Sequence, residues 1–333
     1  MYTDDDLESA LQAGVLTDDN VAAFRAHVAQ RHHAVAVDEE SFRLVSSFND
    51  IFVVIACAML LLSIKWIGTT LGQPGLGAAA IATAAWLLAE FFVRRRHMAL
   101  PAIVLLLAFV ASVFSALTAV IGTEHGQTTA AIAAGGTAVA AYLHWRRFQV
   151  PITVAAGTAA VALMLTLGLI TSVVGGERWV PALLFVLGLA VFALAMRWDA
   201  ADTQRRHRHS DVAFWLHLLA APMVVHPVFS WIGVATGQTH LLQAVIVVAL
   251  YLGIALISLA IDRRALMVSS LFYVLYTFSA LLKGYGAVSL SFAVTALTIG
   301  SALLLLSAFW HASRERVLRV LPASLQRRLP ASR

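Results

Sequence analysis

Apolar runs of about 18–25 residues recur ten times between about residue 50 and residue 311, and short polar links separate them. Each run matches the roughly 20 residues that a helix needs to cross about 30 Å of hydrocarbon. A helix also satisfies every backbone group within its own segment, which a lipid environment demands. The pattern predicts an all-α polytopic membrane bundle of about ten transmembrane helices. They fall at approximately 50–71, 75–93, 98–121, 127–144, 150–174, 179–197, 211–233, 239–261, 265–282 and 287–310. Pro101, Pro151 and Pro181 each lie near the start of a run, where a missing N–H costs little.

The links alternate in kind. One kind is basic: Arg94-Arg95-Arg96, Arg146-Arg147, Arg205-Arg206-His207-Arg208 and Arg263-Arg264. The other is short, Gly-rich and nearly uncharged. Of the 23 Lys and Arg, only Lys65, Arg178 and Lys283 fall on the non-basic side. Loop Lys and Arg stay in the cytoplasm, so the bias predicts both termini inside.

Three segments follow: 1–48, a cytoplasmic N-terminal helical hairpin; 49–311, the transmembrane domain; and 312–333, a basic amphipathic cytoplasmic tail on the inner leaflet. In the hairpin, Thr3 and the carboxylates of Asp4, Asp5 and Asp6 open one helix, with Leu7 and Leu11 as its apolar side and Gly14 as its C-cap. Thr17, Asp18 and Asp19 open a second, in which Val21, Phe24 and Val28 recur at helical spacing. The hairpin is either a solvated appendage or a docking module for a protein partner.

The motif I-G-x-x-x-G-Q occurs at Ile67–Gln73, Ile121–Gln127 and Ile232–Gln238, always in a non-basic link. Trp66 and Trp231 precede the first and third copies, and Phe114-Ser115-Ala116-Leu117 recurs at Phe278-Ser279-Ala280-Leu281. The economical reading is a helical-hairpin repeat of about 55 residues. The first Gly of each motif is expected at φ > 0 where a helix ends, and the second is expected to open the next helix.

Composition agrees with this picture. Hydrophobic residues make up 60% of the chain and charged residues 12%, half the usual share of a soluble domain. The net charge of +5 sits at membrane ends, facing anionic lipid headgroups, and is not a nucleic-acid signature. Membrane lipids are therefore the expected partners. The single cysteine, Cys57, excludes an intrachain disulfide. The first 30 residues are acidic and lack an apolar run, which predicts no cleavable signal peptide.

The seventh run, 211–233, is the least ordinary, because it holds His217, Pro222, His226 and Pro227. The prolines free backbone carbonyls in mid-membrane, and a bend is expected there. His226 lies between them and is expected to face the bundle interior. Intramembrane histidines are functional candidates as proton relays or ligand contacts, set against neutral imidazoles bonded to neighbours. Nine residues separate His217 from His226, roughly 180° around a helix, so the two cannot share a metal. Glu90 is either an interfacial ion pair with the Arg94 cluster or a coupling carboxylate. Asn49 and Asp50 read as a capping pair. Polar stripes mark the last two runs: Ser269, Tyr273, Tyr276 and Thr277, then Ser291, Thr295 and Thr298. They either pack helix on helix or line a polar pathway. No P-loop and no H-E-x-x-H is present, and no catalytic, metal or cofactor set stands out.

The run Leu7-x-x-x-Leu11-x-x-Gly14-Val15-Leu16-Thr17, with Ser41–Ile51 leading into the first span, resembles an uncharacterised group of bacterial predicted membrane proteins. The resemblance implies a bacterial inner-membrane protein and brings no activity with it.

Three functions are open at this point. A permease-like protein moving a small solute is suggested by the seventh run and the polar stripes. A non-transporting scaffold or sensor is suggested by the soluble hairpin and by the scarcity of buried charge. A membrane enzyme ranks last, because no nucleophile–base set is visible. The sites that would carry transport are His217, His226, Glu90, Tyr273, Tyr276 and Thr295.

Overall fold

The structure is a computed structural model. It describes residues 4–31, 48–122, 124, 126–201, 208–232, 241–262 and 309–320, with single positions at 271, 274, 275, 297, 300 and 301. Every regular element among them is helical. The chain divides into two units, Met1–Arg43 and Leu44–Arg333.

The first unit contains α1 (Asp4–Gln12) and α2 (Asp18–Arg31). Gly14 ends α1 at φ 70°, where its N–H donates to the Leu11 carbonyl (3.0 Å) and the Val15 N–H to the Ala10 carbonyl (2.9 Å). That left-handed cap suits glycine. Thr17 caps α2, its Oγ1 accepting from the Asn20 N–H at 3.3 Å. Leu7 and Val21 are buried, while Phe24 is exposed.

The second unit runs through α3 (Phe48–Thr70), α4 (Pro74–Ala89) with a π-turn at Glu90–Arg95, α5 (Ala99–Ile121) and α6 (Gly126–Phe148). It continues with α7 (Ile152–Ser172), a 3₁₀ turn at Gly176–Trp179, α8 (Val180–Ala201), α9 (Arg208–Trp231), α10 (Leu241–Ile261) and α11 (Trp310–Val320). Among the described residues, six helices are long and apolar enough to cross a membrane: Asn49–Thr70, Pro74–Arg95, Ala99–Ile121, Ile152–Ser172, Gly176–Ala201 and His209–Trp231. In the first five, only 17–28% of the apolar window is buried. Leu62, Leu76, Val120 and Val186 are among the exposed residues. An apolar surface of that extent is costly in water and is the natural exterior in lipid. The chain is a multi-pass, membrane-embedded helical protein.

The expected count of about ten spans is met only in part. α6 matches its neighbours in length, but its Gly and Thr content makes it less apolar. α10 contributes a shorter apolar segment, Val245–Ile261. The runs at 265–282 and 287–310 lie almost wholly outside the described residues.

Among the described residues, the closest pairings are α4 with α5, α6 with α7 and α8 with α9. Each pair is joined by a basic link. Cys57, Leu61, Ile81, Ala85, Leu105 and Phe109 form the core of α3–α5, and Val191, Ala195, Val212, Leu216 and Ala220 form the core between α8 and α9.

The first I-G-x-x-x-G-Q copy departs from expectation. Gly68 is helical, and a Cβ there would lie 2.7 Å from the Gly77 Cα, so it serves the close crossing of α3 and α4. Gly72 takes the left-handed conformation instead, at φ 67°, with the Gln73 N–H donating to the Gly68 carbonyl at 2.9 Å. The second copy follows expectation: Gly122, at φ 92°, ends α5, and Gly126 opens α6. In the third copy, Gly233 and Gly237 lie outside the described residues.

The described part of the tail is one helix. α11 begins at Trp310 and packs on α10, where Arg314 Nε lies 3.7 Å from Asp262 Oδ1 with both side chains buried. Val317 lies against the Ala255 and Leu259 cluster.

Candidate functional site

Among the six apolar helices of the described residues, α9 is the most enclosed, with half of its window buried. It is unbroken from Arg208 to Trp231, through both Pro222 and Pro227. Both prolines lie inside one continuous helix. Pro222 is exposed, so its missing N–H falls on the open side, while Pro227 is buried.

Each turn of α9 offers one face to α7 and α8. Val212, Leu216, Ala220 and Met223 fill it at helical spacing. His217 sits beside Leu216 and is fully buried. Its Nε2 lies 2.9 Å from Oδ2 of Asp199, which is itself only 3% exposed. The Phe192 ring meets the imidazole edge-on at 5.3 Å. Asp199 comes from the last turn of α8, because that helix continues to Ala201 rather than stopping at 197. Gly188 lets the two helices approach at the other end of the contact: a Cβ there would lie 2.9 Å from both the Met223 carbonyl carbon and its Cβ.

The pair has a definite chemistry. With Asp199 ionised, the carboxylate can only accept, so Nε2 of His217 carries the hydrogen it donates. With a neutral imidazole the pair is singly negative; one further proton on the ring makes it neutral. Burial makes that unit of charge expensive to hold unpaired.

His226 lies on the other side of α9 and is exposed. The interior position expected for it is taken by His217, as the half-turn offset between them requires. Glu90 occupies the π-turn after α4. Its Oε1 accepts from Arg147 Nε at 2.6 Å, and its Oε2 accepts from Arg147 Nη2 at 3.0 Å and Arg94 Nη1 at 3.4 Å. This is the interfacial ion pair anticipated with Arg94, extended by Arg147, 57 residues away. Tyr273, Tyr276 and Thr295 lie outside the described residues.

Sequence reasoning missed two groups. Asp199 read as part of the basic link, and its only signal was the continuing apolar face of α8. His144 read as a helix-end residue. It is instead buried at the end of α6, enclosed by the rings of Trp86 (5.8 Å), Phe109 (5.4 Å) and Phe148 (4.6 Å), with Thr153 Oγ1 3.4 Å from its Nδ1. Asp50, expected as an interfacial capping residue, is buried in the first turn of α3. Among the described residues, no three His, Cys, Asp or Glu side chains come together as a metal site.

The fold and the buried pair define a class, that of a polytopic α-helical membrane protein with an ionisable pair inside its helix bundle. No family model, no curated protein and no solved structure matches the chain.

Proposed function

We propose that this chain is a ten-span, permease-like protein of the bacterial inner membrane, with both termini cytoplasmic, and that it moves a small solute. The observation that carries this reading is the buried Asp199–His217 pair within two adjacent spans. Ionisable side chains inside a span are costly and mark ion or substrate pathways by default. By helix rise, His217 lies about 13 Å along α9 from its first residue, inside the span.

The repeat organisation has support of its own. The non-glycine residues at positive φ, His97, Gln149 and Asp262, each follow a helix that leads into a basic link. Their positions are separated by about one and two units of roughly 55 residues. The tight pairing of α4–α5, α6–α7 and α8–α9 suits the same unit.

The test is charge displacement in proteoliposomes on a solid-supported membrane, during concentration jumps of amino acids, monosaccharides, nucleosides and carboxylates. Transport predicts a transient for one class that disappears in Asp199→Asn. No transient for any class sinks the permease reading and favours a scaffold or sensor. That second reading draws on the separate N-terminal unit, which leaves Val15 and Phe24 exposed. In it, the hairpin binds a cytoplasmic protein partner.

A further inference from the structure

We propose that the basic end of α4 and α6 is a binding site for one anionic phospholipid, with Arg95, Arg96 and Arg146 holding its phosphate. The proposal is independent of any transport activity. Glu90 draws together two links that are far apart in the chain: Arg147 donates to both of its carboxylate oxygens, and Arg94 to one. The helices meet at the same end, where Trp86 of α4 contacts His144 and Phe148 of α6. Two links with five arginines, Arg94–Arg96 and Arg146–Arg147, are thus tied together at one end of α4 and α6 by Glu90.

The two groups of arginines differ. Arg94 and Arg147 are engaged by Glu90. Among the described residues, no carboxylate pairs with Arg95, Arg96 or Arg146, and all three are exposed. Arg96 lies over the Phe91 ring at 5.6 Å. Arg146 lies over the Tyr142 ring at 6.0 Å and donates from Nη1 to Tyr142 Oη at 3.2 Å. Resting on these rings reduces the freedom the guanidinium groups have to lose on binding. Their remaining N–H donors match the oxygens of a phosphate.

A lipid, rather than free phosphate, is indicated by what lies beneath the arginines. Leu87 lies on α4 about two turns before the Arg94–Arg96 link; Val139 and Leu143 precede Arg146 by seven and three on α6. Helical spacing aligns Val139 and Leu143 under Arg146. These side chains are 64%, 60% and 54% exposed. An apolar track one to two turns long therefore runs from the cationic edge into the hydrocarbon on both helices. Basic pockets between membrane helices are suited to acidic lipid headgroups in this way.

The test uses the full-length protein in neutral detergent, titrated with phosphatidylglycerol, with bound lipid counted by native mass spectrometry. Phosphatidylcholine of the same chains is the neutral control, and inorganic phosphate the soluble competitor. The wild type should retain one phosphatidylglycerol in preference to phosphatidylcholine, and millimolar phosphate should not displace it. The triple variant Arg95→Ala/Arg96→Ala/Arg146→Ala should bind roughly a hundredfold more weakly, about fivefold per arginine. Arg316→Ala/Arg319→Ala, on α11, should leave binding unchanged. Equal retention of both lipids, displacement by phosphate, or undiminished binding in the triple variant overturns the proposal. Should that variant not fold, Arg146→Ala alone, expected to be about fivefold weaker, carries the same test.

Discussion

His217 and Asp199 stand 18 residues apart in the chain, on α9 and α8, and meet at 2.9 Å with almost no exposure. Val212, Leu216, Ala220 and Met223 make the rest of the α8–α9 contact apolar around it. The pair is thus a polar link set in the apolar core of the α8–α9 hairpin.

Removing one partner should be more damaging than neutralising it. His217→Ala leaves the Asp199 carboxyl buried without its imidazole. It should cost between about 1 and 4 kcal/mol, the range spanned by interhelical bonds in membranes and by orphaned buried ions. Asp199→Asn keeps the shape and an acceptor oxygen and should cost less. Tryptophan-monitored melting in detergent checks the order. In a double-mutant cycle the combined loss should fall below the sum of the single losses; additive losses would mean the two side chains do not interact.

Gly188→Leu should open the α8–α9 contact, because its Cβ begins 2.9 Å from the backbone and side chain of Met223 and from Val224 Cγ2. Overpacking of this kind costs about 1–3 kcal/mol. Gly168→Ala, on α7, has nothing within 4 Å of the new Cβ and should melt like the wild type. Indistinguishable melting of Gly188→Leu and Gly168→Ala would show that the close approach is not a constraint.

Glu90→Gln removes the fork to Arg147 at a partly exposed position, where an ion pair contributes little to stability. The variant should melt with the wild type and keep any transport. Loss of transport at unchanged melting would restore Glu90 as a coupling carboxylate.

The sequence reading reached the helices and one half of the pair. The apolar runs mark each span because the length needed to cross a bilayer leaves a strong local signal. His217 stood out as an imidazole in such a run, and the half-turn offset from His226 correctly separated their faces. Asp199 did not stand out. It sits two residues before the end of α8, between Arg197 and the basic link, where hydropathy falls and a carboxylate reads as solvated. Only the packing of α8 on α9 buries it. His144 was hidden for the same reason: Trp86, Phe109 and Phe148 converge on it from three helices, and no local period records that. The prolines do not end α9, because a missing N–H on an exposed face, as at Pro222, need not interrupt a helix.

Topology can be checked with cysteine labelling in a Cys57→Ala background. Glu177→Cys should react with a membrane-impermeant maleimide on spheroplasts, and Arg208→Cys only after permeabilisation. The reverse order would invert the orientation, and labelling of both from outside would break the span count between them.

The most direct test of the account is transport by His217→Ala and Asp199→Asn, set beside Glu90→Gln in the same proteoliposomes, with protein content matched and folding verified by melting. The account predicts that the solute-evoked current of the wild type survives in Glu90→Gln and disappears in both variants of the pair. Full current in His217→Ala and Asp199→Asn would contradict it, and would leave the pair as a packing element between α8 and α9.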